Sequence, residues 1–291
     1  MRKREVDLHM HTKASDGTDT LEERIKDAKD KGLKAIAITD HDKINEGLES
    51  RSFTAENGVE VITGAEIKCQ VEGLKIELLC YFLDPERKEL QGLLEELSDR
   101  REERMEKFVE NLNDSHDLGL ELEDVLDRAE GNVGRPHLAE ALIDKGFVNS
   151  EKEAFERFIG SEHDEYVPVE KVAAEKVINT IHGNGGVTSL AHPGRVLTEE
   201  NADETVEKLV EKSLDGIEVE YSYEQKKGLG SYTINFGVKK ASRLAEKFDL
   251  IKTGGSDCHG SESDKYFLGE VTAPYSRVRK LRETRDTGKQ L

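Results

Sequence analysis

Apolar and polar residues alternate strictly near the start of the chain. In VDLHMHT, Val6, Leu8 and Met10 share one parity, while Asp7, His9 and His11 share the other. Successive side chains of an extended strand point to opposite faces, so the pattern predicts one apolar face and one imidazole and carboxylate face. Further apolar segments follow: LKAIAITDHD after one helical stretch, then VEVITGAEI and LKIELLCYFLD after another. In the first of these helices Thr20 and Glu23 fit a capping box ahead of Ile25 and Ala28, and Gly32 follows a lysine-rich last turn. This rhythm predicts an α/β fold with a largely parallel sheet or barrel, whose functional residues gather at the C-terminal ends of the strands.

Between Pro85 and Glu165 the rhythm breaks. Leu90, Leu93, Leu94, Leu97, Met105, Phe108 and Leu112 recur at helical spacing within a highly charged sequence. Shorter helices are predicted over Leu122 to Ala129, Pro136 to Lys145 and Lys152 to Ile159, punctuated by Gly131, Gly134 and Gly146. Alternation returns after Tyr166, with a helix from Val169 to His182 and strands in GGVTSLAHP, LDGIEVE and FDLIKTGGSDCHG. The expected organisation is an α/β body over residues 1–84 and 166–291 and a helical insertion over 85–165. No internal repeat or low-complexity linker interrupts it.

Composition narrows the function classes. The 291 residues suffice for a large α/β domain with an inserted subdomain. The three cysteines, Cys69, Cys80 and Cys258, form no CxxC pair and suit a reducing compartment. No apolar run reaches the roughly 18 residues of a membrane span, and MRKR runs into the first strand without an apolar signal core. A cytoplasmic protein that does not enter membranes is therefore expected. The net charge of -19, with 62 acidic against 43 basic residues, argues against a basic track for duplex nucleic acid. Aromatic residues make up only 5% and Trp is absent, which leaves few stacking platforms for long single strands and resembles proteins adapted to high salt.

The polar residues at the predicted strand ends form a consistent set: His9 and His11, Asp16 in an SDG turn, Asp40, His41 and Asp42 in ITDHD, Glu66 in GAEI, His192 in AHPG, and Asp257 with His259 in GGSDCHG. Imidazoles and carboxylates are the ligands of borderline and hard divalent ions, and nothing here offers a thiolate cage. A mixed cluster of this size implies two or three divalent metal ions, with manganese, iron, zinc and magnesium all open on the donor set alone. Pro193 is expected to hold His192 in an extended backbone, and Gly254 with Gly255 to permit close backbone approach. A single histidine on an extended segment is more often a satisfied polar residue than a ligand; five of them with carboxylates at the strand ends of one βα series are not. His116, His163 and His182, in helices or loops, are assigned structural roles, and Cys258 should face away from its two neighbours.

In this order, DLHMHT, SDG, TDHD, GAEI, AHPG and GGSDCHG resemble the PHP (polymerase and histidinol phosphatase) superfamily of metal-dependent phosphoesterases. VGRPHLAEALIDKGFVNSEKEAF and YVPVEKVAAEKVINTIHGNGGVTSLAHPG look like the branch that includes the bacterial 3',5'-nucleoside bisphosphate phosphatase and ribonuclease AM. The resemblance covers most of residues 5 to 275. It implies a distorted (β/α)7 barrel with a helical insertion and a metal cluster at its mouth. His9, His11, Glu66 and Asp257 would hold one metal, Asp16, His41 and His259 a second, and Glu66 would reach toward a third bound by His192. Asp7, Asp40 and Asp42 would orient ligands by accepting imidazole N–H bonds. Arg135 and His137, from the insertion, would contact substrate phosphate, with Arg195 a weaker candidate. The chain departs from the family pattern at Glu77, where a histidine is usual, and at Cys80, where glycine is usual. Glu77 is either a carboxylate ligand of the third site or an ion-paired strand residue.

The implied chemistry is phosphate-ester hydrolysis by a metal-activated water, without a protein nucleophile. His192 and His137 are the candidates for protonating the leaving group. The implied substrate is a nucleotide or short oligonucleotide: a nucleoside 3',5'-bisphosphate losing its 3'-phosphate, or short RNA trimmed from its 5' end, acted on by a monomer. The competing readings are a small-molecule phosphatase, such as one for histidinol phosphate, and a non-catalytic metal-binding PHP module.

Overall fold

The computed structural model describes residues 5–129, 132–168, 170–223 and 233–287. The segment MRKR, the punctuating Gly131 and the expected helix start at Val169 lie outside the described residues. The chain divides into two units: Met1–Leu93 with Lys171–Leu291, and Leu94–Glu170.

The larger unit is an α/β structure on a nine-stranded sheet of β1 (Val6–Asp7), β2 (Ala35–Ile38), β3 (Ser52–Thr54), β4 (Glu60–Val71), β5 (Leu74–Tyr81), β6 (Val172–Ala173), β7 (Val187–Leu190), β8 (Gly216–Glu220) and β9 (Ile251–Gly254). The main path runs β1-β2-β4-β5-β7-β8-β9, with β3 and β6 paired onto β4. Beyond β1 the chain stays extended and meets the last strand. Leu8 N–H donates to the Gly254 carbonyl at 3.1 Å, and Met10 bridges Cys258 in parallel, which closes the path into a distorted barrel.

The β1/β2, β2/β4, β7/β8 and β8/β9 pairs are parallel, but β5 is antiparallel to both β4 and β7, which corrects the expectation of a largely parallel sheet at this point. The cause is a two-residue turn. Glu72 and Gly73 both take positive φ, 48° and 83°, the combination that joins antiparallel strands without opposing their twist. The hairpin dispenses with a crossover helix between the two longest strands.

The helix Leu21–Asp30 carries the anticipated capping box: Glu23 N–H donates to Thr20 Oγ1 at 3.2 Å, and Thr20 N–H to Glu23 Oε2 at 2.8 Å. Its inward face buries Leu21, Ala28 and the whole of Arg24. That guanidinium pairs with Asp19 at 2.7 Å and donates to Cys258 Sγ at 3.2 Å. The helix expected from Val169 begins instead at Ala174, because Val172–Ala173 is extended and paired with β4. It ends at Asn184, with Gly185 in the left-handed region at φ 79°.

The second unit packs Met105, Phe108 and Leu112 of the helix Lys88–His116 against Leu138 and Leu142 of the helix Arg135–Asp144 and against Ile159. Where one helix was expected over Lys152 to Ile159, an α-helical turn Glu151–Ala154 passes into a π-helical turn Phe155–Ile159. Among the described residues no helix is long and apolar enough to cross a membrane.

Candidate metal centre

The alternation in VDLHMHT has a structural outcome. Val6, Leu8 and Met10 are wholly buried in the core, and the rings of His9 and His11 lie 5.4 Å apart. On the far side of the closing seam, Asp257 N–H donates to the His9 carbonyl and His11 N–H to the Cys258 carbonyl, both at 2.9 Å, so the two distant segments are locked in register. Gly255 makes that register possible, since a Cβ there would stand 2.4 Å from the His9 nitrogen.

Glu66, on β4, is the hub. Its Oε2 lies 3.3 Å from His9 Nε2, 3.4 Å from His11 Nε2 and 3.0 Å from His41 Nδ1, while Oε1 lies 3.0 Å from His192 Nε2. Asp257 Oδ1 stands 3.5 Å from His9 Nε2 and 3.2 Å from His11 Nε2. Asp16 faces His11, His41 and His259 at 3.7, 3.6 and 3.5 Å. Glu77 reaches inward from β5, its Oε2 at 3.0 Å from His192 Nε2 and its Oε1 at 3.7 Å from Lys68 Nζ. Three groups result, each with ligand atoms within 4.8 Å of one another: His9, His11, Glu66 and Asp257; His11, Asp16, His41 and His259; and His41, Glu66 and Glu77.

The donor set fits divalent cations. Among the described residues, His9 Nε2, His11 Nδ1 and Glu66 Oε2 of the buried nest have no hydrogen-bond partner. A buried polar atom left unpaired costs about 1–3 kcal/mol, and several converging on one point invite a shared partner. The electrostatics agree. Burial raises the Glu66 carboxyl, but His9 and His41 outweigh this and hold it well below its ordinary value. Asp257 is likewise raised by burial and held well down by Lys265, His259 and His9. Burial pulls the His192 imidazole down, yet Glu66 and Glu77 lift it to about 9. Burial and Lys68 drive His41 down to about 3, and burial with His11 lowers His259. The carboxylates are thus anionic and the imidazoles divide. His41 and His259 are pushed toward the neutral form. Burial of His9 and His11 is outweighed by Glu218, Asp257, Asp16 and Glu66, which push these two, like His192, toward the charged form whose protons divalent cations would replace.

Three expectations are corrected. His192 is not extended: at φ 26° and ψ 58° it lies in the left-handed region, where its N–H donates to Glu218 Oε2 at 2.8 Å and overrides the usual effect of a following proline. Among the described residues, Asp7 and Asp40 accept no imidazole N–H. Asp7 Oδ1 accepts from the backbone N–H of His9 and Ser256, and Asp40 from the Thr12 N–H and hydroxyl and the Ser15 hydroxyl. These carboxylates sit beside freshly turned backbone at strand ends, and its amides take them. Asp42 accepts from Lys68 N–H at 2.8 Å.

Cys258 Sγ points to Arg24. In the second unit, Arg135 donates to the Ile159 carbonyl at 3.2 Å and stacks over Phe155 and Tyr166 at 5.0 and 5.5 Å. His137 Nδ1 accepts from Gly134 N–H at 3.1 Å, and burial lowers its pKa.

Three residues at the site went unrecognised in the sequence. Glu218, wholly buried on β8, lies 3.1 Å from His9 Nδ1. Tyr221 donates to Asp257 Oδ2 at 2.9 Å and receives Arg195 Nη1 at 2.8 Å. Lys265 Nζ lies 3.6 Å from Asp257 Oδ2 and 3.4 Å from His259 Nε2. The available signal for Glu218 was its place in LDGIEVE, a charge amid an apolar strand between two ligand-bearing strands.

Fold and donor set together are those of a metal-dependent α/β-barrel hydrolase. Residues 7–223 match the PHP domain, and the chain belongs to that family. It is 29% identical over 266 residues to a 5'-3' exoribonuclease of Haemophilus influenzae, covering 88% of this chain and 90% of that protein. It is 26% identical over 263 residues to a 3',5'-nucleoside bisphosphate phosphatase of Chromobacterium violaceum, covering 87% of each. A crystal structure from Bifidobacterium adolescentis, assigned as a metal-dependent phosphoesterase, superposes with a TM-score of 0.74 at 28% identity over 97% of this chain and 96% of that one.

Proposed function

We propose that this protein hydrolyses a phosphate ester of a nucleotide: the 3'-phosphate of a nucleoside 3',5'-bisphosphate, the 5'-terminal linkage of a short RNA, or both. The observation that carries the reading is the sharing of Glu66 by four imidazoles, which joins three ligand groups into one cluster running from buried His9 and His11 to exposed Asp16. A lone structural cation would need only one such group. The relatives named for nucleotide phosphates supply the substrate class.

In this reading His9, His11, Glu66 and Asp257 hold one divalent cation, Asp16, His41 and His259 a second, and His192 with Glu66 and Glu77 a third. Divalent cations bound there supply Lewis-acid activation of water and neutralise charge on the phosphoryl oxygens. The chain's own groups do the rest. Arg195 and Lys265 converge on Asp257 Oδ2 at 3.2 and 3.6 Å, so two positive groups border the nest where phosphate oxygens must be bound. Arg135 and His137 are assigned to substrate phosphate on their chemistry and the family resemblance. Manganese as the cation, a cytoplasmic location and a monomeric state belong to the same proposal, which the three free, buried cysteines support for compartment.

The test is phosphate release or chain shortening from three substrates with added manganese: a nucleoside 3',5'-bisphosphate, a 5'-phosphorylated oligoribonucleotide and histidinol phosphate. Turnover of either nucleotide substrate is expected. Preference for histidinol phosphate, or inactivity on all three, would refute the assignment.

A further inference from the structure

We infer that Glu218 is a positioning residue coupling the His9 and His192 parts of the nest, so that cation affinity at both depends on one carboxylate; this rests on the metal reading above. Glu218 projects from β8 and is wholly buried. Its Oε1 and Oε2 lie 3.1 and 3.3 Å from His9 Nδ1. The same Oε2 accepts the backbone N–H of His192 at 2.8 Å. No other carboxylate among the described hydrogen bonds serves two of the candidate ligands away from their inward-facing nitrogens.

Each contact has a separate consequence. A carboxylate at Nδ1 favours the His9 tautomer with its proton on Nδ1. The lone pair is thereby left on Nε2, the nitrogen that faces Glu66 and Asp257 at 3.3 and 3.5 Å. At His192 the contact acts on the backbone. A non-glycine residue at φ 26° is held in a sparsely populated region whose strain neighbouring structure must offset. The charge-assisted bond from Glu218 contributes to that offset, and the backbone so held aims Nε2 at Glu66 Oε1 and Glu77 Oε2, each at 3.0 Å. One side chain therefore sets a tautomer on one ligand and a backbone twist on another.

The experiment titrates manganese into metal-free wild type, Glu218→Gln and Glu77→Gln by calorimetry, with bound metal counted by mass spectrometry. Glu77→Gln alters the contact to His192 but none to His9, and should weaken one class of sites. Glu218→Gln keeps the shape but removes the charge and turns one of the two acceptor oxygens into a donor, and should weaken both classes, by about 10- to 100-fold. Weakening of a single class, or unchanged affinity, would overturn the coupling while leaving the metal reading intact. No binding by wild type would remove both. A measurement on wild type covers the case in which Glu218→Gln does not fold: with histidine ring nitrogens labelled and zinc bound, NMR should show His9 protonated at Nδ1. Protonation at Nε2 would overturn the proposal.

Discussion

Replacing Arg24 with methionine should destabilise the larger unit by about 3 kcal/mol, at the low end of the range for breaking a buried ion pair. The guanidinium is wholly buried and pairs with Asp19 at 2.7 Å, while Asp19 is itself only 6% exposed. Methionine keeps most of the aliphatic stem, so the loss is electrostatic: a buried carboxylate without its cation, and a thiol without its donor. The low end applies because Asp19 retains Ser261, which donates through its N–H at 3.0 Å and its hydroxyl at 2.7 Å. For a domain of this size, about 3 kcal/mol corresponds to a fall of roughly 6–12 °C in the unfolding midpoint. The pH dependence has a definite sign. Burial raises the Asp19 carboxyl, but Ser261 and Arg24 outweigh this and hold it below 3.8. A folded pKa below the unfolded one gives stability that is present above 3.8 and lost as pH falls beneath it. The gap between wild type and Arg24→Met should therefore narrow in acid. Thermal unfolding at neutral pH and near pH 3, with Asp19→Asn and the double variant completing a cycle, checks both statements. A midpoint within 2 °C of wild type at neutral pH, or a gap that widens in acid, would refute the reasoning.

At the nest, His9→Ala should lose bound cation and all turnover, and a variant with full metal content and activity would remove the ligand assignment. Arg135→Ala should chiefly raise KM and leave metal content near that of wild type, as steady-state kinetics beside metal analysis will show. Glu77→His tests the third group: a gain in bound metal or rate is expected, and no change in either would mean residue 77 is not a ligand. Chelation should abolish turnover reversibly, and recovery on adding manganese but not calcium would match the imidazole-rich donor set.

Much of the nest was legible because strand periodicity is a local rule. His9 and His11 share a parity with only Leu8 and Met10 around them, so their common direction needs no tertiary information. The close approach at Gly255 was legible for the same reason: a missing side chain constrains only its own neighbourhood. Glu218 was not, because a glutamate in a short strand looks the same whether it faces solvent or a buried imidazole contributed 209 residues away. The twist at His192 was hidden by the same contact, since a charge-assisted bond from another strand overrode the local preference set by Pro193. The β4–β5 hairpin was missed because Glu72 takes a positive φ that glycine, asparagine or aspartate adopts more readily. The π-helical turn at Phe155–Ile159 has the same apolar pattern as a helix over that short span.

The barrel closes where its earliest and latest strands meet, and the seam bears a chronological implication. His11 and Asp257 touch across 246 positions of chain. At ordinary rates of translation that interval lasts roughly 12–50 s, during which the first histidines exist without their aspartate partner. On the proposed ligand assignment, neither group that includes Asp257 or His259 is complete until that interval has passed, and loading of those two becomes an event of the finished protein. Which ion it acquires is then governed by the pool it meets on release from the ribosome.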